Sequence, residues 1–473
     1  MQPKPSKQFG SLFTVLALVV TMLGVPPVPA YAGAPAPADF TLNSLSTPIT
    51  TITRVSVDSS GNQGDYRSYI PSISGDGRYV AFYSMADNLV SGDTNGTPDA
   101  FLRDTQLNIT TLISVDSSGV QGNSWSYDQT NPPFVSADGR YVVFRSLSTN
   151  LISGVTTNGT YHIFLRDTKL NTTTLVSVDS SGAEGDDQSY SPSISADGRY
   201  VTFSSDADNL VSGDTNHSTD IFRRDTQAST TTRLSVASNG TQGNAQSYSP
   251  FISSDGHFVV YYSMASNLVN ADTNGVWDIF RRDTQTNTTT RISVASDGTQ
   301  ANDGSDFPSI SADGRYVAFS STASNLVNGD TNGTNDVFVR DTQSAATTRL
   351  SVNSSGTQGN DWSDIPSISA DGRFVVFRSI ATNLVSGDTN NAYDVFLRDT
   401  LTGTTTRPSV GSYGAQGNDW SAFPSISADG RYVAFYSNAS NLVGGDTNGM
   451  WDVFIAPSIN LFTNRIYLPM VIR

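Results

Sequence analysis

Six times along this chain an Asp-Thr-Asn triplet is followed, after three residues, by a second aspartate. The sets are Asp93/Asn95/Asp99, Asp214/Asn216/Asp220, Asp272/Asn274/Asp278, Asp330/Asn332/Asp336, Asp388/Asn390/Asp394 and Asp446/Asn448/Asp452. Carboxylate and amide oxygens at such spacing around a turn are what Ca²⁺ collects, roughly six to eight at a time. Structural calcium on these residues is therefore one expectation. The motif is shorter than an EF-hand loop and lacks its terminal Glu. The same residues also suit a purely structural role, with the first Asp and the Asn bonding their own backbone and the last Asp capping a strand. One further copy reads Val155-Thr156-Thr157-Asn158-Gly159-Thr160-Tyr161-His162, with both carboxylates gone.

Groups suited to catalysis are sparse. The three histidines, His162, His217 and His257, occupy unrelated places, and no nucleophile elbow, His-Glu-x-x-His helix or phosphate loop is present. Paired carboxylates can hydrolyse glycosides, but a catalytic pair should be singular, whereas these aspartates recur six times. On these grounds the chain is expected not to be an enzyme. Aromatic residues are better placed for recognition. Trp125, Trp362 and Trp420 fall in one kind of polar loop, Trp277 and Trp451 in another, and Arg67, Tyr161 and Tyr393 hold equivalent positions. These eight residues are the candidate partner-binding set, since flat aromatics among polar groups suit sugar rings or a protein hot spot. Packing over neighbouring loops would account for them equally well.

What must position these loops is a repeat. A phrase like Pro-Ser-Ile-Ser-Ala-Asp-Gly-Arg-Tyr recurs with its Asp at 76, 138, 197, 255, 313, 371 and 429. Over residues 344–399, Thr347–Val352 alternates like a half-exposed strand, Pro366–Ser369 is a short strand, and Asp371-Gly372 signals a two-residue hairpin. Arg373–Arg378 reads as a buried strand and Asp394–Asp399 as another. Four antiparallel strands repeated seven times predict an all-β, seven-bladed propeller with almost no helix. The last copy lacks a fourth strand, and Thr51–Val57 is free to complete it and close the ring. Strand direction then puts both long loops of every blade on one face, opposite the Asp-Gly turns. Four of the five tryptophans belong to blades 6, 7, 1 and 2, which become neighbours on closure.

Composition bounds the setting. Residues 1–32 have the basic start, apolar run and Ala30-Tyr31-Ala32 ending of a secretory signal peptide. Residues 33–48 form a Pro/Ala-rich linker, 49–456 the propeller and 457–473 an apolar tail. No later run is long enough to span a membrane. With no cysteine, disulfides, thiolate metal sites and Cys nucleophiles are excluded. A net charge of −16 argues against nucleic acid. The expected protein is secreted or periplasmic, monomeric, and partnered by a cell-envelope or extracellular protein or a polysaccharide.

The phrase Ser-Ile-Ser-Ala-Asp-Gly-Arg-Tyr-Val-Ala-Phe, followed by Asp-Val-Phe-x-Arg-Asp-Thr and a Thr-rich strand, resembles the WD-like repeat of TolB-type propellers over residues 51–456. The resemblance implies a propeller that binds protein. The small α/β domain that precedes the propeller in TolB and the hydrolase domain of related peptidases are not expected here. Oligogalacturonate lyases, which are similar propellers, use His-rich metal sites that three scattered histidines do not reproduce. The expected role is a non-catalytic binding or scaffold module acting through its long-loop face, with carbohydrate binding aided by structural calcium as the alternative and a polysaccharide-active enzyme behind both.

Overall fold

The computed structural model describes residues 50–128, 132–153, 157 and 159–458. The expected leader at 1–32, the linker at 33–48 and the tail beyond Ser458 lie outside those described residues. The third repeat shows how the sequence makes a blade. Its strands are Ser189–Ile194, Tyr200–Ser205, Asp220–Asp225 and Thr230–Arg233, paired antiparallel in sequence order. The second and third strands carry β-branched and aromatic residues on both faces and are buried almost throughout, as strands packed between two neighbouring blades must be. In the outer strand only Thr231 is buried, so this strand keeps one face toward water.

Among the described residues there are seven such four-stranded sheets. In the seventh, Ser421–Ile426, Tyr432–Ser437 and Asp452–Pro457 are joined by Thr53–Arg54, in the register Thr53 to Ile455 and Arg54 to Phe454. The Val55 N–H donates to the Val453 carbonyl at 2.7 Å and extends the seam. The expected ring closure is thus realised, and the open edge is covered. Among the described residues the helical content is one 3₁₀ turn, Ser412–Gly414, and no helix is long and apolar enough to cross a membrane. The core lies between blades. Phe203 stacks on its cross-strand partner Phe222 at 5.8 Å, and both pack with Val143, Ile163, Leu165 and Val176 of the preceding blade.

The Asp-Gly turns differ from the expected two-residue hairpin. Ser195 N–H donates to the Tyr200 carbonyl, so residues 196–199 form the turn. Asp197 Oδ1 accepts from Ser195 Oγ (2.6 Å) and Arg199 N–H (3.0 Å). Only Gly198 takes a positive φ, 75°, whereas the two-residue type I′ turn needs two. The glycine has a second duty: a Cβ there would lie 2.1 Å from the ring of Tyr141 in the preceding blade. Arg199 then grips Asp225 with its fork at 3.1 and 2.7 Å. This face is closed by its own bonds.

Inner strands also start earlier than expected. In blade 6 the strand is Ser363–Ile368, with a bulge between Asp364 and Ser367 and Ile365 at φ 50°. In blade 2 the inner strand described is Phe134–Val135. Because of the early start, one inner-strand residue per regular blade stands just under the long loops. These residues are Tyr69, Tyr190, Tyr248, Asp306, Asp364 and Ala422, paired across to Tyr83, Ser204, Tyr262, Ser320, Arg378 and Tyr436.

Candidate functional site

Hydrogen bonds tie the two long connections together on the face opposite the Asp-Gly turns. In blade 4, Asn274 Nδ2 donates to Asp278 Oδ2 at 2.9 Å and Ser293 Oγ donates to Asp278 Oδ1. Arg291 Nη1 lies 3.2 Å from Asp272 and 3.4 Å from Asp278. Arg233, Arg349, Arg407 and Arg54 bridge Asp214/Asp220, Asp330/Asp336, Asp388/Asp394 and Asp446/Asp452 in the same way. A glutamine from the following loop adds to the clamp: Gln416 Nε2 donates to Asp388 and Asp394 at 2.7 and 3.2 Å. The asparagines hold turns, as where Asn216, Asn332, Asn390 and Asn448 accept the backbone N–H two residues on.

In those five sets these contacts match the alternative, structural role expected for the motif. A guanidinium already stands between the carboxylates, and the asparagine oxygens are engaged in the turn. Among the described residues no group of three or more His, Asp or Glu side chains is placed to hold a metal ion. The arginine, one residue of the Thr-rich outer strand, escaped the sequence reading because it lies far from the acidic motif along the chain.

Two blades depart from the clamp. In blade 1 the arginine position holds Leu112, and Asp93 and Asp99 share only Gln121 Nε2, at 2.6 and 2.8 Å. Asn95 donates to Asp99 at 2.9 Å and holds the Thr97 N–H. Burial, with the nearby charge of Asp93, pushes the Asp99 carboxyl up to about 7. In blade 2, His162 replaces the last aspartate and Glu184 the glutamine, with His162 Nε2 at 2.8 Å from Glu184 Oε1. Burial pulls the imidazole down to about 4. The carboxylate of this blade has moved rather than vanished.

The aromatic candidates sort into two groups. Trp420 packs edge-on against Tyr393 (5.4 Å), and Arg378 lies over Tyr393 (4.6 Å) and Phe423 (5.7 Å). Phe423 stacks on Tyr436, which meets Trp451 at 4.9 Å and Tyr69 at 6.3 Å; Tyr69 meets Tyr127 at 5.7 Å. Of the four tryptophans expected to group on blades 6, 7, 1 and 2, Trp420 and Trp451 thus join one run of ring contacts, linked by Phe423, Tyr436, Tyr69 and Tyr127, which the sequence reading overlooked. Trp125 and Trp420 are 48% and 47% exposed, Arg67 sits over Tyr66 at 5.8 Å, and Tyr161 lies under Arg145 at 3.7 Å.

Trp277 belongs to a second group on blade 4, against Tyr248 (5.8 Å) and Tyr262 (5.1 Å). These rings wall a cavity of about 290 Å³ shared with Asp306, Asn335 and Trp362. Trp362 donates its Nε1 to Asp364 at 3.0 Å. Asp306 Oδ1 and Asn335 Oδ1 are buried without a hydrogen-bond partner. Burial and the charge of Asp364 push the Asp306 carboxyl up to about 7. Neither residue was singled out in the sequence, although Asp306 departs from the tyrosines at the same position of blades 1, 3 and 4.

No family model matches the chain, and no curated protein does either. Solved structures share the fold. An oligogalacturonate lyase in complex with manganese is 13% identical, with a TM-score of 0.50, over 87% of this chain and 94% of its own. A putative TolB from Agrobacterium tumefaciens is 19% identical, with a TM-score of 0.38, over 65% and 87%. The β-propeller domain of the trilobed protease from Pyrococcus furiosus is 11% identical, with a TM-score of 0.47, over 82% and 95%. The lyase corrects the expectation that the chain is not an enzyme. That expectation rested on missing motifs, and a structure of the same fold is an enzyme, so the fold leaves catalysis open.

Proposed function

We propose that the long-loop face is a recognition surface for another protein. The observation that carries this reading is the run of tryptophan, tyrosine and arginine side chains on one face, half-exposed and held on a rigid ring. These are the residue types that dominate protein hot spots, and loops on a stiff scaffold are where recognition concentrates. The opposite face is engaged in its own turns and ion pairs. The exposed indoles of Trp125, Trp362 and Trp420 support a second reading, stacking against the sugar rings of a polysaccharide.

The test uses Trp362→Ala/Trp420→Ala against purified envelope proteins and a glycan array. Loss of about tenfold or more in affinity for one protein, with the melting temperature unchanged, is the expected result. Binding that survives the double change removes this face from consideration, and a glycan as sole ligand favours the second reading. Export is part of the proposal, supported by the residue pattern of 1–32. Protein recovered outside the cytoplasm should begin at Gly33, as read by mass spectrometry of the intact chain; an uncleaved Met1 there would refute it.

A further inference from the structure

We propose that the cavity between blades 4, 5 and 6 receives an arginine side chain of a protein partner, an inference that rests on the protein-recognition reading above. The chain itself shows what this position holds. In blade 6, Asp364 and Arg378 are cross-strand partners. The guanidinium donates to Asp364 at 2.6 and 2.8 Å while lying over the Tyr393 ring. In blade 2, Arg145 stands over Tyr161 (3.7 Å) and Tyr190 (4.9 Å), with Asp128 at 4.0 Å. Twice, then, the ring places a guanidinium of its own between a carboxylate and aromatic rings just under the long loops.

Blade 5 keeps the carboxylate and omits the cation. Asp306 corresponds to Asp364, but its cross-strand partner is Ser320. The Ser320 hydroxyl accepts from the Ile365 N–H at 3.2 Å and cannot supply charge. In place of a long basic side chain there is the cavity of about 290 Å³, with Tyr248, Tyr262 and Trp277 as one wall and Trp362 at its edge. Two acceptors without partners, Asp306 Oδ1 and Asn335 Oδ1, line it, and Asn335 is only 4% exposed.

Acceptors without donors, beside aromatic faces, ask for a planar, donor-only cation. Arginine offers five N–H donors and no acceptor, and its flat charge stacks on aromatic rings. A sugar hydroxyl would satisfy the hydrogen bonds but bring no positive charge to the buried acidic group, which a guanidinium does. The net charge of −16 draws a basic partner toward the face.

The probe is N-acetyl-arginine amide, titrated into the full chain and followed by tryptophan fluorescence, since Trp277 and Trp362 flank the cavity. N-acetyl-citrulline amide, of the same shape without charge, and methyl glucoside are run beside it. Saturable binding of the arginine probe is expected, with citrulline weaker by about tenfold or more. Asp306→Asn should weaken the arginine probe to the same extent. Ser320→Arg should fill the cavity from within, abolish the response and leave the melting temperature equal or higher. Equal binding of citrulline, full binding by Asp306→Asn, or preference for the glucoside would overturn the assignment. A protein partner lost on Trp362→Ala/Trp420→Ala but indifferent to Ser320→Arg would refute the arginine pocket while leaving the recognition face intact.

Discussion

Alanine at position 198 should destabilise the ring by roughly 2–4 kcal/mol, a large effect for adding one methyl group at an Asp-Gly turn. Two causes act together. The backbone there has φ 75°, a region L-residues enter at a cost. The added Cβ would also stand 2.1 Å from the Tyr141 ring of the preceding blade. That ring cannot swing aside freely, because the Arg140 guanidinium lies over it at 4.6 Å. Gly213→Ala is the control: its φ is 79° but nothing lies within 4 Å of the new methyl, so only about 1 kcal/mol is expected. Urea midpoints at constant m-value measure both. Equal losses in the two variants would show that the blade-to-blade contact contributes nothing.

Leu112→Arg is expected to stabilise the protein by about 1 kcal/mol near pH 8 and to lessen its pH dependence, since Asp220, which has the arginine, is still raised to about 6 against about 7 for Asp99. Asp99 is fully buried, and its folded-state pKa of about 7 stands above the ordinary 3.8. Folding therefore takes up a proton between those values. The associated stability is complete below about pH 4 and is lost as pH rises through about 7. Asp104, Asp167, Asp225, Asp341 and Asp399 shift the other way, with arginine partners holding their carboxyls low. Their contribution is present above the ordinary carboxylate range and disappears as pH falls below it. Maximal stability should accordingly lie near pH 4, where the two windows meet. An arginine at 112 would give Asp93 and Asp99 the guanidinium that five other blades possess. Melting temperatures of both proteins at about pH 5 and pH 8 test this; an equal drop in the variant would mean the pair is not what titrates.

The blades were legible because each strand type carries its own local signature: continuous apolar residues in Phe374–Ser379, Thr alternation in the outer strands, and a glycine at each tight turn. Ring closure followed from counting strands. The site was harder to see, for a physical reason. Asp272 and Asp278 have Arg291 beside them, and that placement depends on cross-strand register rather than on the acidic motif itself. Asp306 likewise is unremarkable until Ser320 is found opposite it where blade 6 has Arg378. Tryptophans stood out because they are rare; the tyrosines that connect them, such as Tyr69 on an inner strand and Tyr436 on the strand beside it, read as core.

Ring closure by Thr53–Arg54 also sets an order of events in folding. Ser56, just past this strand, donates to Asp452, 396 residues further on. A chain synthesised from its N-terminal side can complete six blades from local hairpins before the partner of its first strand exists. The seam is thus the contact of greatest sequence separation and the slowest to form. Until it forms, Asp452–Pro457 presents an unpaired edge, which the corresponding N-terminal strand of a second copy would fit equally well. At high concentration during refolding, the characteristic by-product should be a strand-exchanged dimer rather than a misfolded monomer.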